Sequence, residues 1–291
     1  MLSLHTNAAS LSAQNSISNT QSKLSTSMTR LSTGFRINSA MDDAAGLQIA
    51  TRLKAQTSGM TVAMNNTQNS TSLLQTAEGA FAEVTNMLVR MKDLATQAAD
   101  ASSTAADKTA MQAEYNALGQ ELYNVMTNTT FGGTKLLGKG SAAADGTLST
   151  SMTFQIGASS TEKMTFDVSG NLSTLNTALS GLSANFSSGA STGASELTAT
   201  ANATIGLLAT AIDSVSTVRS ALGATANRLD HVNTNLSNIA TNTKAATGRI
   251  MDTDFATESS NMTSSQMLLQ AGTAMLKQSN SMSSMVMSLL Q

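Results

Sequence analysis

The sequence predicts a mainly α protein: a long antiparallel helical bundle or coiled coil, with a small β-hairpin and a terminal two-helix coiled-coil domain. Three observations carry this reading. Apolar residues recur every seven positions over long stretches. Proline is absent from all 291 residues, so nothing interrupts a long helix. Aromatics make up 3% and tryptophan is absent, which suits seams of Leu, Ala, Val and Met.

The two ends carry matching signals. Leu4 and Leu11 lie seven apart, and Ile17, Leu24 and Leu31 repeat at the same interval. They sit on a predicted helix over 1–36, with Gly34 marking its end. Near the other terminus Leu268, Met275, Met282 and Leu289 repeat every seven, as do Met262, Leu269 and Leu276. A heptad stripe demands a partner helix. Either end alone has too little apolar surface to offset its ordering entropy. The expectation is that the ends order by pairing with each other and with copies of the chain.

Between the ends, Leu53, Met60, Thr67, Leu74, Phe81, Leu88 and Ala95 hold a strict heptad, with Ala77, Val84 and Met91 in the alternate positions. This predicts a helix from Asp43 of about 55 residues, about 80 Å long at about 1.5 Å per residue. Ser39-x-x-Asp42 fits a capping box that restarts a helix near Asp43, and Thr104-x-x-Asp107 fits a second. Met111, Tyr115, Leu118, Leu122 and Val125 mark the next helix, which ends before the Phe131-Gly132-Gly133 turn. Met152, Phe154 and Ile156 alternate with polar residues, as do Met164, Phe166 and Val168, so this stretch reads as a β-hairpin. Residues 170–195, rich in Ser, Gly and Asn, read as an exposed loop. Leu208, Ala211, Val215, Val218, Leu222, Thr225, Leu229, Val232, Leu236 and Ile239 resume the helical period. Residues 241–257 read as an interruption. Asp254 then caps the last helix, with Glu258 in its first turn.

Charge and motifs exclude several functions. Only 12% of residues are charged and the net charge is -2, which argues against nucleic acid. Without cysteine there is no disulfide or thiol chemistry. Met1 to Ser10 lack a basic segment followed by an apolar run, so no cleaved signal peptide is expected. No continuous run of about 18 apolar residues predicts membrane insertion. Gly133 to Gly140 imitate a phosphate loop, but glycine holds the last place, where a hydroxyl must bind magnesium. Asp252 and Asp254 lack the third acid and the glycine of a calcium loop. His5 and His231 stand far apart with no zinc motif around either. The expectation is a protein without catalytic residues, cofactor or metal. Its 18 methionines crowd toward the C-terminus, where Met251, Met262, Met267, Met275, Met282, Met285 and Met287 lie. They read either as ordinary seam filling or as a contact that must adapt to more than one geometry.

The run from Leu31 to Gly46, LSTGFRINSAMDDAAG, resembles the N-terminal signature of bacterial flagellins. The run from Arg249 to Glu258, RIMDTDFATE, is similar to their C-terminal signature, which continues through Gln270 to Thr273 and the Ser288-Leu289-Leu290 ending. The resemblance covers 1–170 and 200–291. It implies a structural subunit that self-assembles into the flagellar filament. An inner helical domain would come from 1–42 and 246–291, and an outer one with the hairpin from 43–170 and 201–245. Residues 171–200 would form a short variable surface segment, far too short for the large outer domains many flagellins carry. This would be a minimal form, secreted to the extracellular flagellum without a cleaved signal. The implied partners are copies of itself, an export chaperone on the C-terminal segment, and the filament cap and hook-junction proteins. A further implied partner is an innate immune receptor of the Toll-like class, with Arg90, Leu94 and Glu114 as the matching contact positions. An enzyme carried in the middle finds neither length nor ligands in 170–200. Two alternatives stay open. One is a hook–filament junction protein, which shares these ends. The other is a membrane-active helical protein, against which Lys277 is the sole cation in 258–291.

Overall fold

Heptad spacing becomes helix almost everywhere the sequence carries it. A computed structural model describes residues 7–138, 146–186 and 195–289, without the side chains of 283, 284 and 286–289. In order, the elements are α1 (Ala8–Thr33), α2 (Ala44–Ala99), α3 (Ala105–Asn128), β1 (Thr130–Phe131), β2 (Thr134–Lys135), a 3-10 turn (Thr147–Ser149), β3 (Met152–Gln155), β4 (Lys163–Phe166), α4 (Ser169–Leu182), α5 (Ala201–Met251) and α6 (Phe255–Leu289). Two compact units result: residues 1–57 with 241–291, and residues 58–240. The sequence reading set the divisions at 42/43 and 245/246. Helices α2 and α5 each have residues in both units.

The 58–240 unit has a continuous apolar core. From α2 come Leu74, Ala77, Phe81, Val84, Leu88, Met91 and Ala95, all buried at the predicted three–four spacing. Met111, Tyr115, Leu122 and Met126 face them from α3, and Leu208, Ala211, Val215, Val218, Leu222 and Leu229 from α5. Near Met60 and Ala63 a smaller cluster includes Leu236 and Ala240. Ala240 takes the inward place expected for Ile239, which is exposed. Thr104 and Asp107 form the predicted capping box at the start of α3. The predicted hairpin is β3–β4, antiparallel, with Met152 opposite Phe166 and Phe154 opposite Met164. Gly132 and Gly133 both take positive φ and turn the chain from β1 to β2, so the first glycine of the stretch that imitates a phosphate loop serves a tight hairpin.

Four expectations are corrected. Residues 169–182 form α4 and not a loop. Leu172, Leu175, Leu179 and Leu182 recur three and four apart and are buried, a stripe hidden among Ser, Gly and Asn. The Tyr115 hydroxyl donates to the Leu182 carbonyl at 2.9 Å, and the Asn176 amide donates to the Gly138 carbonyl. Second, α5 does not stop near Ala240 but continues to Met251. Its partly buried positions there are Thr243, Ala246, Thr247, Gly248 and Ile250, mostly too small or polar to register as a seam. Third, α2 is capped by Asp43, which accepts from the Gly46 amide at 2.8 Å. Asp42 instead ties the preceding turn, accepting from the Asn38 and Ser39 amides. Fourth, α5 contains an 18-residue window of mean hydropathy 1.2, apolar enough to cross a membrane by length and composition. Alanine and small residues raise the mean without a continuous run. Leu208, Val215, Val218, Leu222 and Leu229 of α5 are buried in the helical core, whereas Leu207 is exposed.

Candidate assembly interface

The terminal unit is built on α1 and α6, which run antiparallel. Asn7 donates to Ser279 Oγ at 3.2 Å, and Arg30 lies 3.7 Å from the buried Glu258 carboxylate. Gly34 ends α1 in the left-handed conformation, its amide bonded to the Arg30 carbonyl. A short antiparallel clasp then joins the segments leaving both helices. The Arg36 amide donates to the Met251 carbonyl at 2.6 Å and the Thr253 amide to the Gly34 carbonyl at 3.0 Å. Arg36 Nη2 adds a bond to the Ile250 carbonyl. Asp254 starts α6, accepting from the Thr257 hydroxyl and the Ala256 and Thr257 amides. Those three donors hold its carboxylate below the usual range. The aspartates that imitate a calcium loop therefore include a helix cap.

The expected seam residues separate into two faces. On α1, Ile17, Leu24 and Leu31 are half-buried toward α6. On α6, Met262, Leu269 and Leu276 are half-buried toward α1. The second stripe of α6 points elsewhere: Leu268 is 62% exposed, Met275 67% and Met282 59%. Leu11 is also exposed. It lies six residues before Ile17, so it falls out of phase and Ser10 occupies the seam. Leu4 lies outside the described residues, and so does the side chain of Leu289. The pairing of α1 with α6 is thus already present within one chain, where the sequence reading postponed it until neighbours join. Six apolar side chains are half-buried where the helices meet, and the outward stripe stays exposed.

Sequence reasoning missed the alternate layer of this seam. Ala13, Thr20 and Ser27 face α6, and Glu258, Ser265 and Gly272 face α1, all at three- or four-residue steps from the apolar positions. Ser27 and Ser265 are buried. Small residues here let the helices approach closely but leave no hydropathy signal. Phase counted from the leucines would have found them.

The three residues expected to meet a receptor do not present one surface. Arg90 and Glu114 are exposed and paired at 2.7 Å between α2 and α3. Leu94 is 3% exposed and belongs to the core.

The paired ends of this helical protein leave the Leu268, Met275 and Met282 stripe uncovered. Family comparison places it among structural subunits. Residues 4–143 match the bacterial flagellin N-terminal helical region and residues 205–290 the bacterial flagellin C-terminal helical region. Flagellin A of Vibrio anguillarum is 33% identical over 386 aligned positions spanning the whole of both chains, so it carries residues without counterparts here. Polar flagellin F of Vibrio parahaemolyticus is 46% identical over 167 residues. That match covers 57% of this chain and 42% of the relative, so the chain aligns with less than half of that longer protein. A solved structure described as a flagellar hook-associated protein of Vibrio parahaemolyticus shares the fold, with a TM-score of 0.54, 16% identity and coverage of 72% of this chain and all of that one. The chain belongs to the bacterial flagellin family, structural subunits of the flagellar filament.

Proposed function

We propose that this flagellin polymerises by seating the outward stripe of α6 (Leu268, Met275 and Met282) on terminal helices of neighbouring copies. The observation that carries the reading is the division of α6 into two apolar stripes, one half-buried on α1 and one exposed. Burying one Leu or Met side chain contributes about 1.5–3 kcal/mol. Leu11 and Met28, exposed on α1, supply apolar surface on the other helix of the pair. A head-to-tail contact of this kind, if it does not close on itself, generates an open helical polymer.

The terminal stripe and one exposed ion pair suit the further partners. An export chaperone that covers 255–289 shields Leu268, Met275 and Met282 before assembly. Cap and hook-junction proteins engage the terminal helix pair as another subunit does. Recognition by a Toll-like receptor uses the exposed Arg90–Glu114 pair, with Leu94 supporting it from beneath.

Leu268→Asp tests the reading. The variant should keep the helicity of the native chain yet fail to extend short filament seeds. Seeds that elongate at the native rate with the variant would overturn it.

A further inference from the structure

Methionine is distributed unevenly between the two units. Among the described residues, Met60, Met87, Met91, Met111, Met126 and Met164 are buried, and all lie within 58–240. Met28, Met41, Met267, Met275, Met282 and Met285 are exposed, and all lie in the terminal unit. Two of the three described side chains in the outward α6 stripe are therefore thioethers open to solvent.

We propose that Met275 and Met282 are oxidation sites through which a peroxide-class oxidant controls whether a free subunit can join a polymer. The second half of this statement rests on the assembly reading above. In the reaction, a sulfur lone pair attacks one peroxide oxygen and the O–O bond breaks. The departing hydroxide takes the remaining proton and leaves as water. Sulfur is oxidised by two electrons to the sulfoxide, and the peroxide is reduced. The product is polar and carries a strong hydrogen-bond acceptor. The neighbouring stripe residue Leu268 offers it no donor, so burying the modified stripe leaves an acceptor unsatisfied. A stripe of leucines alone would be inert to the same reagent. The core methionines of 58–240 are shielded, so oxidation leaves that bundle intact and acts on the terminal unit.

The test exposes soluble full-length chain to hydrogen peroxide, maps sulfoxides by peptide mass spectrometry, and measures seeded elongation. Met275 and Met282 should oxidise on the order of tenfold faster than Met91 and Met126, in line with exposure. Elongation should fall as their sulfoxide content rises. Reduction by both sulfoxide reductase types, one for each epimer, should restore it. The Met275→Leu/Met282→Leu chain should elongate normally and keep doing so after the same treatment. Equal oxidation rates in the two units, or elongation lost equally by the double variant, would overturn the proposal. Its failure is separable from that of the assembly reading. If Leu268→Asp blocks elongation but sulfoxide-bearing chains elongate at the untreated rate, only the oxidation proposal falls.

Discussion

Ile17 packs directly against the backbone of Gly272, so that a methyl group at 272 would stand 2.9 Å from Ile17 Cγ1. A residue larger than glycine at 272 would crowd Ile17. A β-branched side chain at that point forces the helices apart. Gly272→Val should weaken the pairing by about 1–3 kcal/mol, the usual cost of overpacking. Hydrogen exchange across 8–33 and 255–280 should quicken, while exchange in the buried turns of α2 stays unchanged. Unaltered exchange in the terminal helices would remove Gly272 from the seam.

Acid should loosen the start of α6. The Thr257 hydroxyl and the Ala256 and Thr257 amides lower the Asp254 carboxyl below its ordinary 3.8. A lowered folded-state value means the ionised cap stabilises the helix above pH 3.8 and ceases to do so as pH falls through the folded value. Asp254→Ala should therefore reduce helicity at neutral pH, and its difference from the native chain should shrink below pH 3.8. Circular dichroism across an acid titration checks this. A difference that stays constant at low pH would contradict the capping role.

Tyr115 joins α3 to the end of α4 through its bond to the Leu182 carbonyl. Burial, with the Glu196 carboxylate adding to it, pushes the phenol well above its usual range, so the hydroxyl remains a donor. Tyr115→Phe leaves that buried carbonyl without this partner and should cost about 1–3 kcal/mol in thermal or chemical unfolding. A change near zero would mean that water replaces the phenol.

What the sequence revealed follows from how each seam is built. The heptads of α2 and α5 use Leu, Phe, Val and Met against polar neighbours, so most of their inward faces were legible, Ile239 and Leu94 being the exceptions. The β3–β4 hairpin was legible because Met152, Phe154, Met164 and Phe166 alternate with polar residues. The α4 helix was hidden because its four leucines stand among Ser, Gly and Asn, residues that favour turns as readily as helix. The extension of α5 was hidden because its partly buried positions from 243 to 248 are Thr, Ala and Gly. At the candidate interface the leucines and methionines were visible, but which stripe faces α1 was not. That assignment depends on Ser27, Ser265 and Gly272, whose small size sets the phase without an apolar signature.

The central claim is that the Leu268–Met275–Met282 face of α6 is open in the free chain and covered in the polymer. The native chain has no cysteine, so a single Met275→Cys substitution places one thiol on that face. The measurement is the rate of maleimide labelling of this thiol in free subunits and in seeded filaments. Gln266→Cys, on an exposed part of α6 away from this heptad stripe, gives the comparison. The account predicts fast labelling in free subunits and strong protection in filaments at 275, with much weaker protection at 266. Equal labelling of position 275 in both states would contradict it.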